Sequence, residues 1–116
     1  MPRPDDTVRV RHMMDHAREA LDLVRRKGRA DLDSDRTLSL ALVRLLEIVG
    51  EAANRTSAGL RAAHPAIPWP EIVGLRNRLI HGYDSVDMDI LWEILTDDIP
   101  PLIEKLGEIL GPGATA

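Results

Sequence analysis

The spacing of apolar residues along the chain predicts a protein built from α-helices. From Thr7 to Val24, apolar side chains recur every three to four residues, the repeat of a helix with one buried face. The same repeat predicts a second helix over about 35–56 and a short third helix from Pro70 to about Ile80. A fourth helix, capped by Asp87, runs to about residue 110, and residues 57–64 add a short helical turn. We therefore expect an all-α bundle of four to five helices.

Capping and helix-breaking residues mark the ends of these helices. Residues suited to capping precede the first two helices: Asp6 or Thr7 for the first, and Asp33 or Ser34, after a loop at 30–33, for the second. Gly82 is the predicted stop of the third helix, because glycine adopts the left-handed conformation of a C-terminal cap. Pro100 and Pro101 predict a kink or break in the fourth.

The second helix carries apolar side chains nearly all round its axis. Such a helix is buried on several sides. In a small domain this indicates one face toward the core and another toward a second chain, so we infer a homodimer. Gly50 inside this helix costs about 1 kcal/mol in helix propensity, and we expect a close approach by another helix to compensate.

Composition indicates one small domain with an aliphatic core. The 116 residues form a single predicted domain, with a core over about 8–110 and a disordered tail over about 111–116. The chain has no Phe, two Trp and one Tyr, so Leu, Ile, Val, Met and Ala must fill the core, which suits helices. Without cysteine it can form neither disulfides nor thiolate metal sites. No apolar run approaches the length of a membrane span and the first residues lack the apolar stretch of a secretory signal, so we expect a cytoplasmic protein without membrane attachment.

Positive charge is concentrated in the middle of a chain whose net charge is −4. Residues 55–83 carry four arginines against one glutamate, whereas residues 84–116 carry eight acidic side chains against one lysine. The positive segment could serve a phosphate-containing ligand. Chance segregation of solvated charges explains it equally well.

The positive segment contains the candidate chemistry, an Arg-x4-His-x-Tyr pattern formed by Arg76, His81 and Tyr83. Arginine presents a planar fork of donors that matches a phosphate, and histidine exchanges a proton near neutral pH. Tyrosine adds a hydroxyl that can be modified. On one ideal helix Arg76 and His81 would lie about 140° apart. We therefore expect His81 at a helix end, facing a symmetry-related copy of the chain.

Structural roles are the alternative for each of these residues. Arg76 could pair with an acid such as Glu51 or Asp84, while His81 and Tyr83 cap the helix end. Glu51 and Asn54 share one helix face and could support the site or be simply solvated.

Two further features have structural interpretations. His12 and His16 have a spacing that can bind a metal, but no matching ligand accompanies them and solvated histidines are the favoured interpretation. Trp69 is the predicted packing anchor of the Pro-rich stretch 65–70, with base stacking as the alternative.

The order of helices and the Arg-x4-His-x-Tyr pattern together resemble the HepT-like branch of the HEPN superfamily. The upstream stretch 47–53 (Glu-Ile-Val-Gly-Glu-Ala-Ala), the Pro-Trp pair before Gly74-Leu75-Arg76-Asn77, and Val86-Asp87 followed by Leu91-Trp92 also resemble it. The resemblance covers about residues 8–110.

This resemblance implies an antiparallel HEPN-type bundle, a homodimer, and RNA cleavage without metal or cofactor. Arg76 and His81 would be catalytic, and Asn77, Arg78 and Glu51 would support the site. It further implies a toxin of a type VII-like toxin–antitoxin pair that cleaves tRNA or mRNA. An MntA-type nucleotidyltransferase antitoxin would silence it by transferring AMP to Tyr83, with a possible larger assembly of toxin and antitoxin. The alternative is a non-catalytic helical dimer that binds the nucleotidyltransferase, with the acidic residues Asp97 and Asp98 as its docking face.

Overall fold

A computed structural model describes residues 3–83 and 85–112 and contains helices plus one small β-hairpin. Its elements, in chain order, are α1 (Pro4–Val24), α2 (Asp31–Ser34), α3 (Arg36–Asn54), α4 (Ala58–Ala63), α5 (Trp69–Val73), α6 (Leu75–Leu79), β1 (Ile80–His81), β2 (Ser85–Val86), α7 (Met88–Glu93), a π-helical turn (Ile94–Asp98) and α8 (Ile99–Leu110). The predicted all-α class is confirmed. The part of the predicted tail at 113–116 lies outside the described residues.

The central helix α3 is packed on most of its circumference by other helices of the same chain. α1 packs along it, α2, α5 and α6 also contact it, and α8 packs against α1. Ten of its residues are buried, and Leu40, at 54% exposure, is the large apolar exception. The wide apolar surface of α3 is thus accounted for within one chain. Its width no longer indicates a second chain, and the homodimer stays a prediction.

The core is aliphatic, as the composition predicts, with Trp69 as its one fully enclosed aromatic side chain among the described residues. Trp69 is 6% exposed, and its indole N–H donates to the carbonyl of His64 at 3.0 Å. Its predicted packing role is confirmed. None of the described helices combines the length and the apolar character that a bilayer span requires.

Several predicted helix ends were wrong. α1 begins at Pro4, so neither Asp6 nor Thr7 caps it. The loop expected at 30–33 is instead largely the short helix α2, and Asp35 caps α3 by accepting a hydrogen bond from the Leu38 amide at 3.0 Å. The short helical turn expected over 57–64 is confirmed as α4, and the cap of α7 by Asp87 is confirmed as well.

The third predicted helix is broken into two short helices. Gly74 separates α5 from α6, and α6 ends at Leu79, where Ile80 takes up an extended conformation. Gly82 therefore does not cap a helix; with φ +71° it lies in the turn of the hairpin. The break expected at Pro100 and Pro101 is a π-helical turn just before them. Both prolines sit in the first turn of α8, where the fixed φ of proline is already that of a helix.

Gly50 allows the backbone of α5 to approach α3 closely. A Cβ added there would lie 2.9 Å from the carbonyl oxygen of Ile72 and 3.4 Å from that of Val73, both in the backbone of α5. Only a residue without a side chain lets α5 pack this tightly on α3. The expected compensation for the propensity cost is confirmed.

A buried carboxylate joins the first turn of α1 to the start of α4. Asp6 is 4% exposed and accepts hydrogen bonds from the amide of Ser57 at 2.8 Å and from its hydroxyl at 2.6 Å. The Ser57 hydroxyl in turn accepts from the Leu60 amide at 3.1 Å and so caps α4. The hydrogen bond from the Ser57 hydroxyl, more than any other contact, holds the pKa of Asp6 below its ordinary value.

Replacing Gly50 by alanine should destabilise the protein, although alanine is the better helix former. The gain of about 1 kcal/mol in propensity is outweighed by overlap with a backbone that cannot yield without shifting α5, a cost of about 1–3 kcal/mol. Urea unfolding of Gly50→Ala measures the difference. Gly59→Ala is the matched control, because an added Cβ there meets only the Ser57 hydroxyl oxygen at 3.9 Å. Equal or greater stability of Gly50→Ala would contradict the tight approach.

The Asp6–Ser57 contact should make stability fall in acid. Because the folded-state pKa is lowered, the stabilisation is fully present above the unfolded-state pKa of about 3.9 and is lost as the pH falls through the folded-state pKa. Asp6→Asn removes the titrating group, so the free energy of unfolding should fall less steeply below about pH 4. Asp5→Asn, an exposed neighbour, should keep the wild-type pH dependence. An unchanged acid limb in Asp6→Asn would show that another carboxylate is responsible.

Candidate active site

Arg76 and His81 are separated by a change of backbone conformation. Arg76 lies on α6, whereas His81 lies on β1, after the helix has ended at Leu79. The hairpin pairs His81 with Ser85, and its base is closed by a hydrogen bond from the Asp87 amide to the Leu79 carbonyl at 2.9 Å. The expectation that His81 leaves the helical path is confirmed. The helix itself ends at Leu79, earlier than the predicted stop at Gly82.

Arg76 is held by a carboxylate that the sequence interpretation missed. Its Nε lies 3.3 Å from Oε2 of Glu47 on α3, and Glu47 is only 22% exposed. The alternative partner Glu51 instead lies 3.7 Å from Arg44, and Asp84 is outside the described residues. The signal for Glu47 was its position one helical turn before Gly50, the residue against which α5 packs.

A shallow groove of about 210 Å³ lies where α3 meets α5 and α6. Its lining combines five polar side chains with Val73 and the backbone at Gly50: Glu47, Gly50, Glu51, Asn54, Val73, Arg76 and Asn77. Glu51, Asn54 and Asn77 are thus brought together with Arg76. Their supporting roles stay predictions.

Arg78 faces a different part of the surface from Arg76. Two residues along a helix differ by about 200°, and Nη2 of Arg78 lies 3.0 Å from Oδ2 of Asp98 in the π-helical turn. Both side chains are about one-third exposed. The contact ties α6 to the start of α8. The structure thus places Arg78 apart from the Arg76 groove, although the sequence interpretation grouped the two.

His81 and Tyr83 stand on the hairpin, away from the lining of the Arg76 groove. The His81 side chain is 58% exposed, with Nε2 3.8 Å from Oδ2 of Asp87. Tyr83 is 99% exposed. Both side chains are therefore accessible to a large ligand.

In the folded chain, much of the positive charge of segment 55–83 is engaged by neighbouring groups. Arg61 is used structurally, since its guanidinium donates to the Asn54 carbonyl at 2.8 Å and to the Thr56 carbonyl at 3.0 Å. Arg76 and Arg78 each have a carboxylate partner outside the segment. The charge excess is therefore not an open basic patch, and any anion at this site must be recognised by individual guanidinium groups.

His12 and His16, whose spacing could bind a metal, lie side by side on α1. The two rings meet edge to face with centroids 6.3 Å apart, and Nδ1 of His16 lies 2.6 Å from the His12 carbonyl oxygen. No group of three or more His, Asp or Glu side chains converges as metal ligands would within residues 3–83 and 85–112.

Comparison with known proteins gives a consistent set of similarities. The family model described as "Ribonuclease HepT-like" matches residues 13–109. A candidate RNase of Caldanaerobacter subterraneus subsp. tengcongensis is 36% identical over 109 residues, 94% of this chain and 94% of its own. A candidate HepT ribonuclease of Thermococcus cleftensis is 36% identical over 95 residues, 78% of this chain and 86% of its own. A candidate RNase of Methanocaldococcus jannaschii is 31% identical over 81% of this chain and 86% of its own. A comparison with solved structures gave no match.

Proposed function

The chain belongs to the HepT-like ribonuclease family, and on that premise we propose that it is an endoribonuclease that cleaves RNA without a metal ion. The observation that carries the proposal is the placement of the Arg-x4-His-x-Tyr residues. Arg76 is held at a surface groove by Glu47, and His81 and Tyr83 are exposed on the adjoining hairpin. A core role would bury these side chains, whereas a macromolecular substrate requires them at the surface.

The proposed reaction is attack of a ribose 2′-oxygen on the adjacent phosphorus. His81 accepts the proton of the 2′-hydroxyl, the new bond from the 2′-oxygen to phosphorus forms, and the bond to the 5′-oxygen breaks. The leaving 5′-oxygen takes a proton from a second histidine. Arg76 neutralises the charge that develops on the phosphorane oxygens. The products are a 2′,3′-cyclic phosphate and a 5′-hydroxyl. General acid–base catalysis of this kind contributes about 10²–10⁴-fold.

We propose that the active form is a homodimer, because one chain offers a single motif histidine. A two-fold axis beside the hairpins would bring His81 of both copies to one scissile phosphate, so that one serves as base and the other as acid. It would also bring two Arg76 groups to the same RNA. The chemistry of the site, and not the apolar width of α3, supports the homodimer.

We further propose that the chain is the toxin of a toxin–antitoxin pair and that its RNA substrate is tRNA or mRNA. An MntA-type nucleotidyltransferase would transfer AMP from ATP to Tyr83: the tyrosine oxygen bonds to the α-phosphorus of ATP, and pyrophosphate leaves. The support is the 99% exposure of Tyr83, two residues from His81. The added AMP brings bulk and a negative phosphate to the place where RNA must enter, so it blocks binding by steric exclusion and by like-charge repulsion.

RNA cleavage by the purified chain should depend on Arg76 and His81 and not on divalent metal. Arg76→Ala and His81→Ala should each reduce cleavage of total tRNA or of an mRNA pool by at least about 100-fold. Cleavage by the wild type should persist in EDTA and leave 2′,3′-cyclic phosphate ends.

Arg11→Ala and His12→Ala are matched controls, because both residues are exposed on α1. They should retain wild-type cleavage, and circular dichroism should show all four variants folded. Retained cleavage in folded Arg76→Ala or His81→Ala would leave the alternative, a non-catalytic helical dimer that binds a nucleotidyltransferase.

Modification by the partner should add AMP to Tyr83. Intact mass of the chain after incubation with its cognate nucleotidyltransferase, ATP and magnesium should increase by whole AMP units, and the modified protein should no longer cleave RNA. Tyr83→Phe should show no increase while remaining folded, since the hydroxyl is fully exposed. AMP found on Tyr83→Phe would place the modification elsewhere. No AMP on the wild type would favour inhibition by complex formation.

A further inference from the structure

We propose that Asp87 is a positioning residue for His81: its carboxylate holds the imidazole in the tautomer that leaves Nδ1 free to accept a proton. The inference rests on the proposed function, since it concerns which ring nitrogen takes the proton of the ribose 2′-hydroxyl. Asp87 was expected only as the cap of the fourth helix. In the structure its carboxylate contacts both the Ile90 amide and the His81 ring.

The two carboxylate oxygens of Asp87 have different partners. Oδ1 accepts a hydrogen bond from the Ile90 amide at 3.0 Å and so caps α7. Oδ2 lies 3.8 Å from Nε2 of His81. The backbone amide of Asp87 is held by the Leu79 carbonyl at 2.9 Å, which closes the hairpin that carries His81. The helix cap therefore fixes the rotation of the carboxylate, and the hairpin fixes its distance from the ring.

This arrangement selects one protonated nitrogen on the ring. A carboxylate can only accept hydrogen bonds, so it favours the tautomer in which Nε2 carries the hydrogen. Nδ1 then has the free lone pair, which a general base needs. The 3.8 Å separation is longer than a hydrogen bond, and such contacts in catalytic pairs shorten when substrate binds.

Asparagine at position 87 separates the two roles of the side chain. Asparagine caps helices about as well as aspartate. Its amide oxygen must take the Ile90 hydrogen bond, because the amide nitrogen cannot accept. The NH₂ group then faces Nε2 as a donor and favours hydrogen on Nδ1, the wrong tautomer for the proposed base. In a serine protease triad the same replacement lowers kcat about 10⁴-fold for this reason.

Asp35 provides a matched control on another helix. It caps α3 with the same geometry, accepting from the Leu38 amide at 3.0 Å, and forms no ion pair with a histidine of residues 3–83 and 85–112. A helix-capping role alone predicts the same small effect for Asp35→Asn and Asp87→Asn. A positioning role predicts an effect only at 87.

The first measurement determines the tautomer of His81 directly and does not require activity. Long-range ¹H–¹⁵N spectra of the ¹⁵N-histidine-labelled chain, recorded near pH 8.5 where an ordinary imidazole is neutral, distinguish the two tautomers. We expect His81 protonated on Nε2 in the wild type and in Asp35→Asn, and a shift toward Nδ1 in Asp87→Asn. His81→Gln assigns the signal among the four histidines. An unchanged tautomer in Asp87→Asn would overturn the proposal.

The second measurement is the cleavage rate. Asp87→Asn should lower kcat by about 10²–10⁴-fold with little change in KM, whereas Asp35→Asn should match the wild type. Asp87→Ser keeps a capping oxygen but presents no group to the ring, so its loss should be smaller than that of Asp87→Asn. Equal rates for all three residues at position 87 would reduce Asp87 to a helix cap.

The two measurements separate the two hypotheses. If the wild type cleaves no RNA, the proposed function fails and the tautomer spectra still decide whether Asp87 controls the ring. If the wild type cleaves RNA and Asp87→Asn cleaves equally well, the function stands and the positioning role falls.

Discussion

The close approach of α5 to α3 at Gly50 is the constraint on which the site depends. The Ile72 carbonyl oxygen occupies the space where any side chain at position 50 would begin. With α5 this close, Leu75 is fully buried and α6 starts directly beside α3. The Arg76 side chain then lies within reach of Glu47, one helical turn from Gly50. A looser contact would move the arginine away from its carboxylate before it altered anything else in the fold.

The helix that carries Arg76 cannot be stable by itself. Five residues are too few for an isolated helix, since nucleation is costly and is recovered only by longer segments. α6 is held instead by buried Leu75 and Leu79, and by ion pairs to Glu47 on one side and to Asp98 on the other, through Arg76 and Arg78. The π-helical turn brings Asp98 into position, which gives this irregular segment a clear structural role.

Sequence reasoning succeeded where periodicity and capping are local properties. The α1 and α3 helices, the Asp87 cap and the packing of Trp69 all follow from residue type and spacing. It failed where contacts distant in sequence decide the outcome. Gly82 lies in a hairpin turn and not at the predicted helix stop; positive φ suits both, and only the pairing of His81 with Ser85 distinguishes them. Glu47, rather than Glu51, meets Arg76 because of how α6 crosses α3, and that crossing is set by contacts distant in sequence.

The Glu47–Arg76 pair is compatible with binding RNA because it uses only part of the guanidinium group. Glu47 meets Nε, while the side chain of Arg76 remains 67% exposed. A guanidinium has five N–H donors in one plane, so the terminal nitrogens can hold a phosphate while Nε keeps its carboxylate. The cost of ordering a long, flexible side chain is then met in the folded protein before substrate arrives. The ion pair also has a disadvantage. Glu47 partly neutralises Arg76, so the arginine attracts distant phosphates only weakly. Selectivity at this site would therefore come from the fixed direction of its donors rather than from a strong positive field.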